Sequence, residues 1–127
     1  MGYNVLIVDD SPIIRKMVAK TLKISDLDIN EYHFAENGRQ ALTLLDDNWI
    51  DIVFADINMP EMNGMEMVEK MVEKELLSTI PVVIISTERS RERIEALKAM
   101  GISAYLHKPF VPEDFARVVR GLLYKTG

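Results

Sequence analysis

Hydrophobic runs of strand length alternate with segments of helical period five times along the chain. The short runs are almost wholly apolar, which is typical of strands buried on both faces of a parallel sheet. The segments between them repeat apolar residues every three or four positions, as amphipathic helices do. The predicted strands cover residues 4–8, 30–35, 51–55, 81–85 and 104–106.

Start and stop signals mark the helices between these strands. Ser11 followed by Pro12 suits the N-cap and first turn of a helix, and Gly101 is a normal C-terminal stop. Pro60 and the pair Asn63-Gly64 indicate a loop after the third strand. The predicted helices cover residues 12–22, 38–46, 64–75, 91–100 and 112–123.

Five strand-helix units in succession predict an α/β fold. Parallel strands need right-handed crossovers, so we expect a doubly wound five-stranded parallel sheet with helices on both faces. The flavodoxin-like strand order 2-1-3-4-5 is favoured for a domain of this size. It places the first and third strands side by side at the switch point, where ligands bind.

Composition limits the class of protein. A chain of 127 residues with 48% apolar residues predicts one domain over residues 1–127, with no output domain. The absence of cysteine excludes disulfides and thiolate sites. A net charge of −5 disfavours direct nucleic-acid binding, and no segment approaches the ~20 apolar residues that span a bilayer. We expect a cytoplasmic protein without membrane insertion.

Three aspartates are predicted to meet at one edge of the sheet. Asp9 and Asp10 follow the first strand, and Asp56 follows the third, about 4.8 Å away in the predicted order. Two like charges at ~4 Å repel by ~4 kcal/mol at an effective dielectric near 20, so the cluster needs a counter-ion. Oxygen ligands without histidine or cysteine favour magnesium, manganese or calcium, and a sparse carboxylate set suits magnesium.

The remaining strand ends supply complementary groups. Ser86 ends the fourth strand and Lys108 follows the fifth. A carboxylate nucleophile, a metal ion, a lysine and a hydroxyl are the groups that phosphoryl transfer uses. Asp56 is the best-placed nucleophile.

Four short motifs stand at four predicted strand ends in the same order. They are Val8-Asp9-Asp10, Asp56 with Met59-Pro60 and Gly64, Ser86-Thr87, and Lys108-Pro109-Phe110. Together they resemble the receiver domain of two-component response regulators, over essentially the whole chain.

The resemblance implies a phosphoacceptor and a Mg2+ site. Asp56 would take the phosphoryl group. Asp10, Asp56 and the backbone carbonyl of Asn58 would bind Mg2+ directly, and Asp9 would help through water.

The resemblance also implies a switch. Lys108 would contact the phosphoryl group next to a cis Lys108-Pro109 bond, and the Ser86 hydroxyl would swing towards that group. Tyr105 would then turn inward and change the face formed by the fourth helix, fifth strand and fifth helix.

Closer matching favours the stand-alone chemotaxis type, which is CheY-like. Asn58 and Glu88 match that type at the two variable positions, where a hydrolytic water would approach, and predict fast self-dephosphorylation. Thr87 is bulkier than usual and would narrow access to the phosphoryl group. The implied partners are a sensor histidine kinase, a flagellar switch component and a phosphatase.

Other functions remain open from the sequence. A phosphorelay shuttle or a regulator outside motility would use the same receiver. A flavodoxin-like electron carrier shares the strand order, but Asp9 and Asp10 would repel a flavin phosphate. A haloacid-dehalogenase-type phosphatase carries its two acids two residues apart after one strand, unlike the adjacent pair here.

Overall fold

Five parallel strands alternate with five helices in the computed structural model, which describes residues 2–123. The strands are β1 (Tyr3–Val8), β2 (Ile29–Ala35), β3 (Ile52–Ala55), β4 (Val82–Ser86) and β5 (Ala104–His107). The helices are α1 (Pro12–Ile24), α2 (Gly38–Asp47), α3 (Gly64–Glu73), α4 (Arg91–Met100) and α5 (Pro112–Leu123).

The strand order is β2-β1-β3-β4-β5, which confirms the predicted fold class. β1 lies between β2 and β3, with Val8 opposite Ala55 in the register of β1 and β3. Asp9 and Asp56 therefore leave neighbouring strands at the same level. β4 pairs with β3 on one side and β5 on the other, so β4 is interior, as the predicted strand order requires.

The sheet has a hydrophobic core on each face. Along β1, Val5 and Ile7 belong to one cluster, and Leu6 and Val8 to the other. This alternation is the pleat of a strand buried on both sides. Phe115 of α5 stacks on the sheet with its ring centroid 4.9 Å from that of Phe54. The packed frame fixes the strand ends on which the polar residues stand.

The helix starts follow the sequence signals. The Ser11 hydroxyl accepts a hydrogen bond from the Ile14 amide at the start of α1. Asn63 and Glu66 form a reciprocal capping box at the start of α3. α4 ends at Gly101, whose φ of 109° is left-handed and favours glycine.

Several boundaries differ from the predictions. α1 continues two residues further, to Ile24, and the Ser25 hydroxyl closes it by donating to the Thr21 carbonyl. α3 ends at Glu73 and cannot reach Glu75, whose φ of 58° is left-handed. The other shifts are of one residue: β1, β2, β3 and β4 begin at Tyr3, Ile29, Ile52 and Val82, α2 ends at Asp47, and β4 and β5 end at Ser86 and His107.

The apolar stripe of α1 includes residues that the fold does not bury. Val18 and Leu22 are buried, whereas Ile13 is 75% exposed although it fits the helical period. None of the helices in the described part of the chain is long and apolar enough to span a membrane.

Candidate functional site

A lysine and two aspartates meet at the carboxyl edge of the sheet. Lys108 Nζ lies 3.7 Å from Asp9 Oδ2 and 3.9 Å from Asp56 Oδ2. All three residues line one small crevice between β1, β3 and the end of β5. The ends of three separate strands therefore converge on one group of charges, as the sequence predicted.

Asp9 is the buried member of this group. Only 5% of the residue is exposed, and Oδ1 accepts a hydrogen bond of 2.9 Å from the Ser11 amide. Burial raises the pKa of Asp9, and the nearby carboxylates of Asp56 and Asp10 add to the rise, against the lowering effects of the Ser11 amide and Lys108. Burial is thus the main cost of ionising Asp9.

Asp56 is more accessible than Asp9. Its Oδ1 accepts a hydrogen bond of 2.7 Å from the Ile57 amide, and Oδ2 faces Lys108. Gly64 packs directly behind it: a Cβ built on Gly64 would lie 2.3 Å from the Asp56 carbonyl oxygen. The loop that carries Asp56 can therefore take this close approach only at a residue without a side chain.

Asp10 and Asn58 are both exposed, and the carboxylate of Asp10 lies near enough to Asp9 to affect its pKa. Within residues 2–123, no three acidic, histidine or cysteine side chains come close enough together to hold a metal ion. The ligand set implied by the resemblance has two direct carboxylates and a backbone carbonyl, so it does not require such a cage. Asp9 and Asp56 share Lys108, but the predicted meeting of all three aspartates in one metal-holding cluster is not found among residues 2–123. Two carboxylates beside one lysine are still oxygen donors that suit a hard divalent cation.

A cavity of about 360 Å³ lies between α1 and the loop after β5. Lys108, Pro109 and the exposed Thr87 stand on its wall. The Lys108-Pro109 peptide bond is cis, as the resemblance implied.

Ser86 and Tyr105 both bind the backbone of Glu88. Ser86 is fully buried, and its hydroxyl accepts a hydrogen bond of 3.2 Å from the Glu88 amide. The half-buried Tyr105 donates its hydroxyl to the Glu88 carbonyl at 2.6 Å. Burial raises the pKa of Tyr105. The two residues expected to move during switching therefore share one neighbour.

The carboxylate of Glu88 is directed at the start of α4. Its Oε2 accepts hydrogen bonds of 3.2 Å from the amides of Arg89 and Ser90, and Oε1 lies 2.7 Å from Arg93 Nη1. The Ser90 amide and Arg93 lower the pKa of Glu88. The sequence predicted this side chain at the path of a hydrolytic water. In the structure the Glu88 carboxylate instead accepts hydrogen bonds from groups at the start of α4.

Two arginines at the site were missed by the sequence reasoning. Arg15 Nη1 donates to the Asp9 carbonyl at 2.5 Å, and Arg93 binds Glu88. Arg15 lies on the helix that begins directly after the aspartate pair, and Arg93 lies five residues after Glu88 on the next helix. These spacings are the only sequence signals, and both are common in exposed helices.

Comparisons with known proteins indicate the family of the chain. The model of the response regulator receiver domain family matches residues 5–120. Chemotaxis protein CheY1 of Helicobacter pylori is 40% identical over 112 residues, which cover 87% of this chain and 88% of that protein. The chain spans 58% of the length of the probable transcriptional regulator ycf29 of Porphyra purpurea, with 29% identity.

Solved structures give the same result. The chemotaxis response regulator CheY4 of Vibrio cholerae superposes with a TM-score of 0.83 and 35% identity, covering 97% of this chain and 100% of that one. A chain of the CheX-CheY-BeF3-Mg+2 complex of Borrelia burgdorferi superposes with a TM-score of 0.84 and 26% identity, covering 97% and 90%.

Proposed function

The chain belongs to the response regulator receiver family, and from that membership we propose that Asp56 accepts a phosphoryl group in a Mg2+-dependent reaction. The observation that carries the proposal is the position of Lys108 Nζ, 3.7 Å from Asp9 and 3.9 Å from Asp56. A lysine shared by two aspartates is suited to bind the oxygens of an incoming phosphoryl group. The protein is a CheY-like signalling protein rather than a conventional enzyme, and in this proposal it catalyses only its own phosphorylation and dephosphorylation.

The proposed donor is a phosphohistidine of a sensor histidine kinase. A carboxylate oxygen of Asp56 attacks phosphorus, the new O–P bond forms and the N–P bond to the histidine breaks. Asp56 suits this role because it is more accessible than Asp9 and its Oδ1 is already oriented by the Ile57 amide. Oδ2 lies on the side of Lys108, which would neutralise charge on the transferred group.

Mg2+ would be held by Asp10, Asp56 and the backbone carbonyl of Asn58, with Asp9 behind them. When bound, it supplies charge that draws the phosphoryl oxygens to the carboxylates. Asp9 suits a supporting role because it is buried: burial raises its pKa, and the carboxylates of Asp56 and Asp10 add to the rise. A divalent cation would relieve that repulsion.

The signal would then pass through Ser86 and Tyr105. To reach the phosphoryl group, the Ser86 hydroxyl must turn away from the Glu88 amide that it now accepts from. Tyr105 donates to the carbonyl of the same residue, so a change at Ser86 is next to the aromatic switch. The proposed output is a population shift in the face formed by α4, β5 and α5.

The proposed pathway is chemotaxis, in the cytoplasm. It is supported by relatives at 38–40% identity that are chemotaxis proteins, and it favours a flagellar switch component as the downstream partner over a phosphorelay role. A phosphatase is a further proposed partner. Asn58, Thr87 and Glu88 would set the lifetime of the phosphoryl group, with Glu88 acting only when its carboxylate leaves the start of α4.

The test is phosphorylation with acetyl phosphate and Mg2+, followed by the mass of the intact protein. We expect the wild type to gain one phosphoryl group, and the gain to disappear in EDTA or in Asp56→Asn. Asp51→Asn, at the other end of β3, is the matched control and should still gain the group. An unchanged wild-type mass, or labelling that persists in Asp56→Asn, would refute the proposal.

A further inference from the structure

The loop between β4 and α4 is joined to three parts of the molecule by one residue, Glu88. Its amide binds the Ser86 hydroxyl, its carbonyl accepts from Tyr105, and its carboxylate binds the first turn of α4. The carboxylate contacts come from the amides of Arg89 and Ser90 and from the Arg93 side chain. A movement of the Glu88 side chain would therefore also displace the Glu88 carbonyl, which accepts the hydrogen bond from Tyr105.

The start of α4 has few other attachments. Leu97 is the single buried residue among the described residues of this helix, and it lies near the other end. Ser90 caps the helix through a hydrogen bond of 3.4 Å from the Arg93 amide to its hydroxyl. The position of the first turn thus depends on its polar contacts, of which the Glu88–Arg93 ion pair at 2.7 Å is the shortest.

The ion pair is unequally exposed. The Glu88 side chain is 19% exposed and that of Arg93 is 52% exposed. The carboxylate also lies at a helix N-terminus, where the helix dipole favours a negative charge. Such an ion pair contributes modestly to the free energy, so it can favour one arrangement of the loop between β4 and α4 without excluding another.

We propose that Arg93 is a positioning residue of the switch: by holding the Glu88 carboxylate at the start of α4, it stabilises the docked arrangement, in which the Tyr105 hydroxyl is bonded to the Glu88 carbonyl. This inference rests on the proposed function, because it adds Arg93 to the proposed signalling route. The interactions that it concerns are those of the unphosphorylated protein. Arg93 acts through Glu88 and touches neither Asp56 nor Lys108 within the structure described.

The test follows Tyr105 directly in unphosphorylated protein. Fluorotyrosine is incorporated, and the ¹⁹F resonance of Tyr105 is assigned with Tyr105→Phe. In Arg93→Gln we expect that resonance to move towards the solvent-exposed position, as the ratio of docked to undocked forms falls about two- to fivefold. Arg93→Lys, which keeps the charge, should restore part of the shift.

Arg91→Gln is the matched control, because Arg91 lies in the same turn of α4 and the change in charge is the same. It should leave the Tyr105 resonance in place. Glu88→Gln should reproduce the Arg93→Gln shift, and the double variant should add nothing further, because both single changes break one interaction. Equal shifts in Arg91→Gln and Arg93→Gln, no shift in Arg93→Gln, or additive effects in the double variant would overturn the inference.

The outcome is independent of phosphorylation. If acetyl phosphate failed to label Asp56, the proposed function would fail while the Tyr105 measurement could still succeed. If labelling succeeded and Tyr105 did not respond to Arg93→Gln, the positioning role alone would be refuted.

Discussion

The two ends of β3 each carry an aspartate, and the two are held in opposite ways. At the amino end, Asp51 accepts a hydrogen bond of 2.8 Å from the Asn4 amide and another of 3.0 Å from the Trp49 indole. At the carboxyl end, Asp56 has one neutral donor, the Ile57 amide, and otherwise faces Lys108. The acidic neighbour Asp9 shares that lysine.

The difference separates the structural end of β3, at Asp51, from the end at the proposed phosphoacceptor Asp56, which we call the reactive end. Both oxygens of Asp51 have neutral donors, so its charge is stabilised locally and ties the start of β3 to β1. Asp56 lies where negative charge exceeds positive charge, and an incoming cation would improve its energy. The same strand therefore carries a stabilising acid at one end and, in the proposed function, the phosphoacceptor at the other.

Removing the shared lysine would break the reactive end most severely. In Lys108→Met, the positive charge between Asp9 and Asp56 is lost while side-chain length is kept. We expect the rate of phosphorylation by acetyl phosphate to fall about 100-fold, as it does when one electrostatic stabiliser is removed from an active site. Rates of mass gain give the measurement, and Lys98→Met on the exposed side of α4 is the control. A rate within a factor of two of wild type would remove Lys108 from the proposed chemistry.

A substitution behind Asp56 would test how the reactive end is built. In Gly64→Ala, the new Cβ would lie 2.3 Å from the Asp56 carbonyl oxygen and 2.9 Å from Ile57 Cα, and both are backbone atoms. The loop must move, so we expect the free energy of unfolding to fall by about 2–3 kcal/mol, measured by urea denaturation. Gly121→Ala is the control, since its added Cβ would meet no atom within 4 Å apart from its chain neighbours and the backbone of its own helix. Equal stabilities of the two variants would show that the loop adapts freely.

At the structural end of β3, a substitution of Asp51 should change the stability of the protein and leave its phosphorylation rate almost unchanged. Asp51→Ala leaves the Asn4 amide and the Trp49 indole without their acceptor, so we expect a loss of about 2 kcal/mol in urea denaturation. The phosphorylation rate of the folded variant should stay within about twofold of wild type. Asp47→Ala, an exposed residue at the end of α2, should change neither quantity. Loss of labelling in folded Asp51→Ala would show that the two ends of β3 are coupled.

The sequence was sufficient for the frame and for the meeting of Asp9, Asp56 and Lys108. Strands buried on both faces leave an unambiguous apolar pattern, and residues at the carboxyl ends of neighbouring parallel strands must lie at one edge. Asp9 and Asp56 follow neighbouring strands, whereas Lys108 follows β5, two strands from β3, and reaches both aspartates through its long side chain.

The orientation of Glu88 could not be read in the same way. Its position in the chain predicts a place near Asp56, but its side chain turns to α4 because two amides and Arg93 offer it donors. A rotamer choice of this kind depends on three-dimensional contacts. The same limit applies to Ile13, whose helical spacing fits the buried stripe although no neighbour covers it.

Substitution of Asp9, the buried acid near two other carboxylates, should raise the free energy of unfolding, whereas Gly64→Ala and Asp51→Ala should lower it. In Asp9→Asn, a buried charge beside two other carboxylates is removed while the oxygen that accepts from Ser11 is kept. We expect the free energy of unfolding without divalent cation, measured with urea, to rise, because a buried charge no longer opposes folding. Added Mg2+ should stabilise the wild type and have less effect on the variant. Destabilisation of Asp9→Asn without cation would contradict the view that this end of the sheet is repulsive.

The pH dependence of stability separates the two kinds of carboxylate most finely. The pKa of Glu88 is lowered from 4.5 by neutral amides and Arg93, so its contribution to stability is present above pH 4.5 and is lost as the pH falls below that value. The pKa of Asp9 is raised above 3.8, so its ionisation destabilises the fold as the pH rises from 3.8 through the folded pKa. Urea denaturation between about pH 3 and pH 6 measures both. Glu88→Gln should lose stability relative to wild type only at the upper end of this range, and Asp9→Asn should gain it there. If Glu88→Gln and Asp9→Asn changed the stability at the upper end of this range in the same direction, the distinction between an acid with hydrogen-bond donors and an acid crowded by carboxylates would not hold.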